Sequence, residues 1–220
     1  MKLIGSGTIL SLALANTLAL AVVPAVAAAP DGVTQVAVAA NVDKVAQARA
    51  AMRDLWVGHI FWVRNVIFET YAKNGSATKE AEAEVVANAK QIGAAIAPFY
   101  GKAAGDRLFG LLAGHYGAVK DYLVASVKKD EAAEKAATDE LLTNAEQIAD
   151  FLSSANPNLP KDTLVELLDA HGGHHIQEIQ DVAARKYEAE AETWSEMKDH
   201  IYVIADALVD AVAKQFPEKF

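Results

Sequence analysis

Apolar residues recur at helical spacing along most of this chain. Leu55, His59, Trp62, Val63 and Val66 share one broad face, as do Leu108, Leu111, Leu112, His115 and Val119. Leu164, Leu167, Leu168, His171 and His175 make a third such face. Between and beyond them, Leu141, Ile148 and Leu152 align, and so do Met197, Ile201, Ile204 and Leu208. Steps of three and four residues put side chains on one stripe of a helix. β-Branched residues do not cluster in the alternating runs that a strand requires.

The interruptions predict where each helix stops. Asn74-Gly75 supplies a left-handed C-cap, with Thr78 as the N-cap of the second helix. Pro98 and Tyr100-Gly101 end that helix, because proline cannot continue the hydrogen-bond ladder. Asn156-Pro157-Asn158-Leu159-Pro160 acts likewise later, and Pro217 ends the last helix. The charged stretch 128–134 falls at a joint and reads as a solvated corner. The expected helices are 42–74 and 78–98, 102–129 and 131–154, and 161–187 and 189–216.

These six segments fall into a period of 56 residues. His59, His115 and His171 are 56 apart, and so are Asn88, Asn144 and His200, and Ile92, Ile148 and Ile204. Local words agree, as in Asn88-Ala-Lys-Gln-Ile92 and Asn144-Ala-Glu-Gln-Ile148. A fixed period of this length marks a repeated supersecondary unit. The expected fold is all-α: a bundle of about six helices made of three related antiparallel helix hairpins with short loops. A curved stack of hairpins is the alternative.

The N-terminus reads as a targeting segment. Lys2, the apolar run 9–23, Pro24 and the small-x-small triplet Ala25-Val26-Ala27 predict a signal peptide over 1–27. A flexible spacer over 28–41 and a helical domain over 42–220 come after it. The competing reading is an uncleaved anchor over 8–29, which is just long enough to span a bilayer. No later segment is apolar enough to span. The mature chain is expected in the periplasm or secreted, with no membrane span after cleavage.

Composition narrows the chemistry. With 52% apolar residues in 220, the chain can bury one sizeable core. The absence of cysteine excludes disulfides, thiolate metal sites and a cysteine nucleophile. A net charge of −9 without a Lys/Arg-rich segment argues against nucleic acid and anionic membrane surfaces as partners. A metal ion or small ligand remains.

The histidines carry the candidate chemistry. The period puts His59, His115 and His171 in the middle of the first helix of each hairpin, and His200 in the middle of the last helix. A lone histidine on an apolar face usually packs its ring and donates one proton to a carbonyl. Several buried imidazoles together suggest ligation, because neutral imidazole is the commonest transition-metal ligand. His171 and His175, four residues apart, put both rings on one helical face. Glu178 lies on nearly the same stripe. Glu196 and His200 are also four apart, with Asp199 adjacent, as ligands or as a carboxylate orienting a ligand. Imidazole-rich, thiol-free ligation suits zinc, copper(II), nickel or haem iron better than calcium or magnesium. Trp62 decorates the first helix, an aromatic of the kind that mostly builds core. Arg64 is expected to pair with Glu69, Asp54 or another helix. Gly172-Gly173 predicts a close backbone approach, a kink or a tolerated weak spot. Inert packed histidines, and an acid–base enzyme, stand as the other readings.

No phosphate loop, dinucleotide fingerprint, Gly-x-Ser-x-Gly elbow, His-Glu-x-x-His or haem-attachment motif occurs. The chain therefore leans away from being an enzyme. The words at 55–65 (Leu-Trp-Val-Gly-His-Ile-Phe-Trp-Val-Arg-Asn), 98–101, 154–158 and 205–220 resemble a family of small helical bacterial proteins, often labelled glycosyltransferases. The resemblance implies that the four mid-helix histidines are family features. It also implies an acidic residue before each. Here Gly58, Gly114 and Ala170 depart from that, and only Asp199 keeps it.

Overall fold

A computed structural model describes the chain from Gly32 onward, with side chains from Val42. The signal segment expected over 1–27 lies outside the described residues. The described chain forms six helices: α1 Gly32–Tyr71, α2 Gly75–Tyr100, α3 Lys102–Lys128, α4 Glu131–Ala155, α5 Lys161–Ala183 and α6 Tyr187–Gln215. A short 3₁₀ turn, Pro217–Lys219, ends the chain. No described helix is long and apolar enough to cross a membrane. α1 begins upstream of the expected start at residue 42, so the stretch expected as a spacer is helical from Gly32.

The three hairpins α1–α2, α3–α4 and α5–α6 turn in one way. Lys73, Lys129 and Arg185 each adopt a left-handed backbone, with φ of 58°, 57° and 58°. The next amide then reaches back across the turn: Asn74 to the Glu69 carbonyl, Asp130 to Ala125, and Lys186 to Asp181. This bond closes the last turn and satisfies carbonyls that the helix leaves open. The left-handed residue is thus Lys73 rather than the expected Asn74-Gly75. Asn74 starts α2 instead of Thr78, because its side chain accepts from the Ala77 amide. Asp130 does the same for α4, accepting from Ala133 at 3.1 Å. Pro98 does not stop α2, which runs on to Tyr100. Its missing N–H costs one ladder bond in the final turn, and Gly101 (φ 88°) makes the stop.

Each helix packs on its neighbours in sequence, and α1 also packs on α6, so the six close into a ring. Arg53 Nε donates to Asp206 at 2.7 Å, and Arg49 pairs with Asp210, across that closing seam. A ring whose first helix meets its last is a bundle rather than an open stack. α1, α3 and α5 also touch one another. The first helices of the hairpins therefore line the interior.

That interior is layered. Val63, Ile67, Val119, Leu123, Ile179 and Val182 lie in one apolar cluster. Trp56, Ile60, Leu108, Leu112, Ile201 and Ile204 lie in a second. Leu111, Ile148, Leu164 and Leu168 lie in a third. On α3 and α5 the mid-helix histidines sit in sequence between two of these blocks, and on α1 His59 lies between Trp56 and Ile60 of the second. Gly172 marks a close crossing, since a β-carbon there would come within 2.9 Å of Leu141. Gly173 faces open space, and α5 runs through both glycines as one helix.

Candidate metal centre

Three helices contribute to one buried cluster. His59 comes from α1, His115 from α3, and His171 and His175 from successive turns of α5. All four are buried, between 0% and 4% exposed. One nitrogen from each lies within 4.8 Å of those of the other three. Centroid separations run from 4.5 Å for His171–His175 to 6.0 Å for His59–His115. Trp56 stands edge-on to His59 and His171, at 6.0 and 6.3 Å.

The rings satisfy few of their own nitrogens. Nε2 of His171 and Nε2 of His175 face each other at 3.2 Å. Nε2 of His59 and His115, and Nδ1 of His171 and His175, are buried without a partner. Burial drives His59 down to about 3, helped by the nearby His115 ring. Burial alone brings His115 to about 4. His171 and His175 also fall well below the ordinary histidine value, first through burial and then through neighbouring rings. The four imidazoles are therefore neutral at physiological pH and carry lone pairs.

A buried polar chain leads away from His175. Glu178, fully buried, places Oε2 4.0 Å from His175 Nδ1. Its Oε1 is 3.5 Å from Arg64 Nε, and neither oxygen makes a hydrogen bond. Burial, and then the charge of Glu190, pushes Glu178 up to about 8 against the pull of Arg64. Arg64 uses both arms of its fork on Glu190 of α6, with Nη2 donating at 2.8 Å. Its partner is thus on another helix, neither Glu69 nor Asp54.

Several expected site residues lie elsewhere. His200 is not among the four. Its Nε2 is 2.8 Å from the Leu167 carbonyl. Asn88 does the same to Leu55 at 2.9 Å and Asn144 to Leu111 at 3.1 Å, each across 33 residues. All three positions therefore clamp the second helix of a hairpin to the first, which leaves His200 facing backbone rather than the interior. Glu196 and Asp199 are exposed on α6, outside the four-ring cluster. Trp62 is partly buried against the core cluster beyond the centre, and its ring meets Phe61 at 5.0 Å.

The clamp accounts for the glycines before His59 and His115. A β-carbon on Gly58 would come within 3.0 Å of Asn88 Nδ2, and one on Gly114 within 3.1 Å of Asn144 Nδ2. The period in the sequence held this pairing, in the constant offset between glycine and asparagine. Glu190 left no comparable signal.

Chemically, the cluster offers four neutral nitrogen donors and no anionic one. A tetrahedral ion with zinc–nitrogen bonds of 2.0–2.1 Å needs donors about 3.3 Å apart. Small ring movements would bring a cluster of this spread to that value. No family model matches the chain, and no curated protein or solved structure matches it either.

Proposed function

We propose that this is a periplasmic or secreted metal-binding helical bundle, whose centre is His59, His115, His171 and His175. The observation that carries the reading is the convergence of four buried, neutral, under-partnered imidazoles from three separate helices. Leaving a buried polar atom unsatisfied costs about 1–3 kcal/mol. An inert core has no reason to gather four such rings at one point, whereas an ion satisfies them together.

The shape of the cluster favours zinc. In a square-planar set, two opposite pairs are longer than the four adjacent ones. Here the two longest separations, 6.0 and 5.8 Å, share His115 and so are not opposite pairs. Six similar separations suit a tetrahedral ion, and zinc takes that geometry most readily. Copper(II) and nickel, which prefer flatter nitrogen sets, fit less well. Haem fits least, because rings 4.5–6.0 Å apart leave no slot for a macrocycle between them. Four protein ligands make a closed site, the arrangement of a structural or storage metal rather than a catalytic one. Depressed basicity and burial likewise speak against acid–base catalysis. Export is supported by the leader-like 1–27 segment.

The test is elemental analysis of the full chain purified from its exporting host, with a zinc titration of the stripped protein. One tightly held ion per chain is expected, lost in His59→Asn and His115→Asn. Stripped protein whose melting point ignores added zinc, copper and nickel would sink the reading.

A further inference from the structure

The third hairpin departs from the other two, and its departures meet in space. Where the first two hairpins carry Asn88 and Asn144, it carries His200. Where they carry Trp62 and Ala118, it carries His174. The two extra rings lie together on the α5–α6 seam, their centroids 5.2 Å apart. That separation falls within the range found inside the buried centre.

The tautomer of His200 is set by its clamp. A ring nitrogen 2.8 Å from the Leu167 carbonyl must be the N–H. In the neutral ring Nδ1 then carries the lone pair. An asparagine would do the clamping equally well, as Asn88 and Asn144 do, so the imidazole adds a free donor that the fold does not need. His174 is also partly buried, with Nδ1 lacking a partner. Both rings of the pair are only partly buried, and on α5 His174 lies next to His175 and one turn from His171, which are closed to solvent.

We propose that His174 and His200 form a second, partly exposed site that captures a transition-metal ion and passes it inward to the four-histidine centre. This assignment rests on the metal-binding reading above. A hydrated divalent ion must exchange water for protein donors before it reaches rings that are closed to solvent. Two imidazoles at the seam provide the first exchange, and His171, one turn from His174 on α5, the next.

Zinc loading of the stripped full-length protein tests it, followed by tryptophan fluorescence, since Trp56 lies against His59 and His171. His174→Ala/His200→Asn substitutes residues that the equivalent positions already carry in the second hairpin, so the fold should persist; the melting curve checks this. The double variant should bind one zinc with unchanged affinity but load at least about tenfold more slowly, the scale on which supporting groups alter metal sites. In a His59→Asn background, a weak zinc site should remain, and the double substitution should remove it. A double variant that loads as fast as wild type overturns the capture site while leaving the centre intact. A wild type that binds no zinc overturns both.

Discussion

Gly58 and Asn88 are mutually dependent: the amide nitrogen that clamps α2 to the Leu55 carbonyl occupies the space a β-carbon on Gly58 would need. Glycine in mid-helix ordinarily costs about 1 kcal/mol against alanine. Here the displaced clamp costs more, because a buried hydrogen bond lost on one side leaves about 1–3 kcal/mol unrecovered. Gly58→Ala should therefore destabilise the wild type. In an Asn88→Ala background the same change should stabilise by about 1 kcal/mol. Chemical denaturation of the four proteins reads this directly, and a cycle with no change of sign would contradict the coupling.

A buried ligand without its ion is a liability. His115→Leu replaces an under-partnered ring with an apolar group of similar size. The metal-free variant should be more stable than the metal-free wild type by about 1–3 kcal/mol. In saturating zinc the order should reverse, because only the wild type gains from binding. Thermal melts with chelator and with zinc give both comparisons.

Acid should unfold the metal-free protein early. The four buried rings titrate well below the ordinary histidine value, His59 at about 3 and His115 at about 4. Their lowered values mean that their contribution is complete above the unfolded value near 6.5 and is lost as pH falls below it. Glu178, raised to about 8, works in the opposite sense and holds an extra proton in the folded state. Four against one leaves a net uptake of roughly three protons on unfolding near pH 5, or about 4 kcal/mol per pH unit. Denaturation midpoints between pH 7 and 5 should fall steeply, and a flat profile would show that the rings are not buried neutral.

Glu178 should matter to the metal more than to the fold. An ion on His175 would make its second nitrogen a stronger donor and its charge would favour ionised Glu178, whose Oε2 is 4.0 Å away. Glu178→Gln should weaken zinc binding about 10–100-fold, the usual effect of removing such a support. The stripped protein should melt no lower than wild type, since neither Glu178 oxygen makes a hydrogen bond there. Equal zinc affinity in both proteins would remove Glu178 from the site.

The sequence made the inner helices legible and the outer ones less so. His59, His115 and His171 share a position in the period and an apolar stripe, and both place them toward the axis. His175 is placed by helical geometry alone. His200 shares the period but not the direction, because position within a hairpin does not say which side of the second helix meets the first. The offset of 33 residues that ties it to Leu167 becomes visible only when Asn88–Leu55 and Asn144–Leu111 stand beside it. Arg64–Glu190 spans 126 residues and two helices of different hairpins, a contact no local pattern encodes. The first turn differs from its expected position by a residue, because Lys73 takes the left-handed backbone that the nearby glycine would adopt more cheaply.

The placement of His59, His115 and His171 on three different hairpins has a topological effect. An ion held there is a reversible crosslink in a chain that has no cysteine to make a permanent one. It fastens points 56 residues apart twice over, and so favours the folded state over the unfolded for as long as it stays bound. Chelation would cut both fastenings at once, without reductant, and leave the hairpins free to part.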